Sequence, residues 1–143
     1  MIGYLSKLNA AKRQIQTAID LYFLHGDMLS VMTLAGAAEE LCGNLLARKG
    51  KQNILAIMSA EAERRGLQLT DKELYNRASS MRNALKHAND PSEDDFLFDD
   101  EAAVLMLIRA VINYQLLDQP LSDEMEKFIV WVRKNGLLIR DST

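Results

Sequence analysis

Only two prolines, Pro91 and Pro120, and seven glycines interrupt 143 residues, so little in the chain obstructs long helices. The stretches between these breaks are rich in Leu, Ala, Glu, Lys, Met and Gln, residues that lose little side-chain freedom in a helix. An all-α fold follows: a compact bundle of five to six helices. Hydrophobic residues make up 48% of the chain, enough for one core, while the length is too short for two cores of ordinary size. Residues 1–143 therefore read as a single domain.

Helical periodicity and stop signals divide the chain further. Leu5, Leu8, Ile15, Ala18, Ile19, Tyr22 and Phe23 predict a first helix from Gly3 or Tyr4 to Leu24, ended by His25-Gly26-Asp27. A second helix is expected from Asp27 or Ser30 to Lys49, with Gly50 just past its end. Its main apolar stripe runs Val31, Leu34, Ala35, Ala38, Leu41, Cys42, Leu45, but Leu29, Gly36, Gly43 and Ala47 line the reverse side. Such a helix is central, packed on two faces. The pattern then predicts a third helix from Asn53 to Arg65, ended by Gly66. A fourth, capped by Thr70 or Asp71, runs to about Ala88 before Pro91. Asp99 or Asp100 opens a fifth, whose apolar face is Val104, Leu105, Leu107, Ile108, Val111 and Ile112, and Ser122 opens a sixth that ends near Asn135 and Gly136.

Charge and cysteine content exclude several functions. The net charge of −3 argues against a general polyanion binder, yet the seven acids between Asp90 and Glu101 account for more than this excess, and without them the balance is +4. A local basic surface is thus compatible with the sequence. The acidic loop lacks the alternating ligands and glycine of a calcium-binding loop, so solvation and helix capping are its expected roles. Phe96 and Phe98 are expected to anchor it to the bundle, and Met28, Met32 and Met58 to fill the core. Cys42, the sole cysteine, is read as a buried core residue, and His25 as a turn residue. Neither a metal nor another cofactor is expected. No apolar stretch approaches the roughly 18 residues of a membrane span, and no signal segment is recognised, so a cytoplasmic location is expected.

The residues that carry chemistry lie late in the fourth helix. Leu74, Ala78, Met81, Leu85 and Ala88 form its buried stripe, which sets Arg82 at the flank and turns Asn83, Lys86 and His87 outward. Arg82 and His87 are about 7.5 Å apart along a straight helix axis. They flank one phosphate only if the helix end bends or a second subunit contributes.

Arg82-Asn83-Ala84-Leu85-Lys86-His87, an Arg-Asn-x-x-x-His pattern, resembles the signature of HEPN domains. The Ala- and Glu-containing run from Leu34 to Leu46 is similar to the second helix of that family, and the helix order extends the resemblance over residues 5–118. What the resemblance implies is a helical bundle, usually dimeric, with the motifs of two subunits facing one cleft. By it, His87 is a general acid/base, Arg82 the phosphate-binding cation, Asn83 orients His87 or the phosphate, and Lys86 adds charge. Metal-independent RNA cleavage is implied, giving a 2′,3′-cyclic phosphate and a 5′-hydroxyl. An imidazole titrating at about 6.5 and a forked guanidinium are chemically suited to those roles. The competing readings are a surface salt bridge for Arg82 and a cation at the helix C-terminus for His87.

Glu39 flanks the main stripe of the second helix. Glu40 points to its reverse side, between Gly36 and Gly43, where it reaches either solvent, an ion-pair partner or the Arg82 and His87 site. Three functions remain open: an RNA-cleaving homodimer, as the toxin half of a toxin–antitoxin pair or an antiviral factor; a non-catalytic HEPN module binding nucleotides or protein; and a helical interaction protein.

Overall fold

Side-chain caps set where most of the helices begin. The computed structural model describes residues 2–65 and 69–135, and their regular structure is helical throughout. The helices are α1 (Lys7–Phe23), α2 (Met28–Arg48), α3 (Ile54–Arg65), α4 (Leu69–Lys86), α5 (Asp100–Leu116) and α6 (Asp123–Lys134), with a short 3-10 turn at Pro91–Glu93. Ser6 Oγ accepts the Asn9 N–H at 3.0 Å, Asp99 Oδ1 that of Glu101 at 2.9 Å, and Ser122 Oγ that of Met125 at 3.3 Å. Each satisfies one of the N–H groups left open at a helix start. Because Ser6 caps α1, the helix starts later than Gly3 or Tyr4, and Ile2, Tyr4 and Leu5 stay exposed.

Three helices end on a residue in the left-handed region, and only one of these is glycine. Gly50 has φ 67°, and the N–H groups of Gly50 and Lys51 return to the Ala47 and Leu46 carbonyls at 3.0 and 2.9 Å. After α1 the same pattern is made by His25, at φ 54°, as expected of a turn residue. Gly26 serves close approach instead, because a Cβ there would stand 3.0 Å from both the Leu21 carbonyl oxygen and Leu21 Cδ2. Asp118, at φ 60°, follows α5, and its carboxylate meets Lys51 Nζ at 2.6 Å.

α2 is the central helix, packed most extensively against α5 and α1, while α4 lies on α5 and α2 and α3 touches α5. Burial on two sides accounts for its mixed apolar pattern: Val31, Ala35, Ala38 and Cys42 are buried as expected, and Met32 and Leu46 join them. Leu34, Leu41 and Leu45 are only partly covered, and Leu29 and Ala47 are exposed. α6, which lies beyond the residues that the resemblance covers, packs on α1 through Met125, Phe128 and Val132 and an edge-to-face aromatic cluster. Trp131 lies 5.1 Å from Tyr22 and 5.8 Å from Phe23, ring centre to ring centre.

α4 differs at both ends from the sequence expectation. It already includes Thr70, so its start precedes the expected caps, and it stops at Lys86, two residues short of Ala88. Beyond it the chain turns into the Asp90-capped 3-10 turn at Pro91, where a proline disfavours helix in the residue before it. Ala78 and Met81 are buried and Leu85 packs on the core, but Ala88 falls outside the helix and is exposed. Phe98 anchors the acidic loop, whereas Phe96 is more than a third exposed. The expected stops at Gly66 and Gly136 and the side chains of Met58 and Leu74 lie outside the described residues. Among the described residues no helix is long and apolar enough to cross a membrane.

Candidate functional site

The crossing of α2 and α4 depends on a missing side chain. A Cβ at Gly36 would stand 2.7 Å from Arg82 Cγ and 3.0 Å from Cδ, so glycine lets the stem of Arg82 lie flat across α2. Lying there, Arg82 carries Nη1 to Glu39 Oε2, while its Nε donates to Asn83 Oδ1 at 3.4 Å. Arg109 arrives from α5, its Nη2 donating to Glu39 Oε1 at 3.1 Å and its Nη1 to Ser79 Oγ at 3.2 Å. One carboxylate thus binds guanidiniums from two helices, one at each oxygen. Glu39 is 4% exposed and Arg109 1%, so water screens their attraction little. Withdrawing such charges from water is costly, and bonding at both oxygens is what offsets it.

A neutral group extends this junction. Asn113, buried on α5, donates through Nδ2 to the Glu39 carbonyl at 3.4 Å and accepts the Ile54 N–H through Oδ1 at 2.7 Å. The start of α3 is thereby joined to α5 and α2.

The outer part of the junction is wetter. Lys86, in the last turn of α4, pairs with Glu40, one residue beyond Glu39, and both side chains are about two-fifths exposed, at 41% and 42%. The Lys86 hydrogen bond holds the Glu40 carboxyl below the usual carboxylate range; burial opposes it to a lesser extent, and the charges of Lys86, Arg82 and His87 each add a still smaller lowering. Glu40 therefore sits within electrostatic reach of three basic groups of the motif. His87 lies just past the end of α4 and is exposed, as is Asn83.

These positions alter the helical-wheel expectation at one residue. Asn83, Lys86 and His87 do look outward, but the Arg82 side chain is only 16% exposed and points inward to Glu39. A long side chain crosses the flank of its helix wherever the facing helix offers a gap, and Gly36 is that gap. Glu40 takes the ion-pair alternative, with Lys86, and Glu39 is the acid that reaches Arg82. Sequence reasoning missed Arg109, Ser79 and Asn113. A signal existed for Arg109, the lone charge in the apolar run from Val104 to Ile112, since a cation on a buried face must find an anion.

Among the described residues no cluster of three or more His, Cys, Asp or Glu is disposed to hold a metal ion. Comparison with protein-family models, with curated proteins and with solved structures finds no match to this chain.

Proposed function

We propose that the exposed end of α4 handles RNA, and that the protein is a HEPN-like ribonuclease that works as a homodimer without a metal ion. The observation that carries this reading is the concentration of Arg82, Lys86 and His87 at one helix end, with Arg82 oriented by Glu39 and the other two exposed. Among the described residues Arg82 bonds through Nε and Nη1, so a phosphate oxygen would be received at Nη2. In the reaction one imidazole accepts the 2′-hydroxyl proton as O2′ bonds to phosphorus and the P–O5′ bond breaks. An imidazolium then supplies a proton to O5′, and a dimer provides two copies of His87 to divide these roles. Uncontrolled RNA cleavage needs restraint, which fits a cytoplasmic toxin held by a protein antitoxin, or an antiviral factor.

Incubation of the purified protein with labelled single-stranded RNA and a chelator tests this reading. Cleavage is expected to leave a 2′,3′-cyclic phosphate, and His87→Ala is expected to lower its rate by roughly 10²- to 10⁴-fold while the protein stays folded. Cleavage at full rate by His87→Ala, or only with added magnesium, would overturn the mechanism. The bond between Arg82 and Glu39 also favours a second reading, a non-catalytic module in which Arg82 is structural. Folded protein that cleaves no RNA would select it.

A further inference from the structure

Glu39 and Glu40 are neighbours on α2 that point about 100° apart around the helix axis, and the two carboxylates do different work. Glu39 is buried and holds Arg82 and Arg109, whereas Glu40 is half exposed and covers Lys86 at the motif's outer edge. We propose that Lys86, Arg82 and His87 form a phosphate subsite which the Glu40 carboxylate occupies in the free protein, so that an RNA phosphodiester binds by displacing it. This rests on the RNA reading above. Glu40 is anionic, bonds the Lys86 ammonium and lies within the field of Arg82 and His87, as a phosphate in that position would. The pair is solvated on both sides, so its ions separate easily, and Lys86 has a flexible stem to follow an incoming anion. Displacement leaves Arg82 in place because its anchor is Glu39. Glu40 is then a specificity residue: it admits an anion that can bond several of these cations together and discourages weaker ones.

The probe is a single-stranded oligonucleotide bearing 2′-O-methyl groups, which binds but cannot be cleaved, titrated by fluorescence anisotropy over a range of salt. Glu40→Gln is expected to bind it about two- to fivefold more tightly, the competition strength of one exposed ion pair. Its plot of log affinity against log salt should steepen by about 0.7, the slope for one further phosphate charge neutralised on a single strand, because binding no longer frees a carboxylate. In a Lys86→Met background the same substitution should change neither quantity. The subsite is overturned if Glu40→Gln binds no more tightly, or if its gain survives Lys86→Met. Binding that is equal in wild type and Glu40→Gln removes the subsite alone, whereas no binding by either protein at low salt removes the RNA reading with it.

Discussion

A carboxylate bonded at each oxygen to a different helix cannot lose its charge quietly. Removing Glu39 leaves the Arg109 guanidinium buried without this anion and Arg82 without its anchor. Glu39→Ala should cost about 3–5 kcal/mol, the range for breaking a buried ion pair from one side, read as a lower urea midpoint. A loss below about 1 kcal/mol would mean that water enters and solvates both cations. Lys86→Met should be far milder, since its pair is open to solvent. At this scale the sequence was legible for outward residues: Asn83, Lys86 and His87 are exposed as the wheel requires. Arg82 was not, because the gap that receives it lies on another helix, and no periodicity within α4 records what α2 offers.

Between α2 and α4 the controlling feature is an absence. Gly36→Ala would ordinarily stabilise a helix interior by about 1 kcal/mol. Here the added Cβ meets the middle of the Arg82 side chain, whose far end is tied to Glu39 and cannot swing aside without breaking that bond. Net destabilisation is expected, since overpacking typically costs about 1–3 kcal/mol, and thermal melting will give its sign. Arg82→Ala in the Gly36→Ala background should add less destabilisation than it does alone, because the clash vanishes with the arginine stem. Additive effects would show that the helices simply separate. Helix existence was readable because periods are local, and so were the starts capped by Asp27, Asp99 and Ser122, but not those of α1 and α4. The end of α4 was not, since the apolar stripe continues to Ala88 while the chain must leave the helix to enter the Pro91 turn.

Across the whole molecule, α2 sits where α1 and α5 meet, and its cysteine is enclosed. Cys42 is fully buried, and burial, with Glu39 adding to it, pushes its thiol up to about 12. At neutral pH it is protonated and unreachable, so a thiol-alkylating reagent should label it only as the molecule unfolds, in step with loss of helicity as urea rises. Labelling ahead of that transition would reveal separate opening around α2. The fold class was legible because scarce breaks and helical periods recur along the entire chain. Most of the contacts between helices were not, although Glu40 between Gly36 and Gly43 pointed from α2 to α4, and the lone cation Arg109 pointed to a buried partner for α5.

That junction also has an order in time. Glu39 is made first, Arg82 follows 43 residues later and Arg109 after 70. At roughly 5–20 residues per second the carboxylate waits some 4–14 seconds for its last partner. Meanwhile α1 and α2, joined by a short turn, can pair as a local hairpin with that charge still hydrated. Both guanidiniums that bond Glu39 come later in the chain, so its burial is complete only once α5 has been made and has docked.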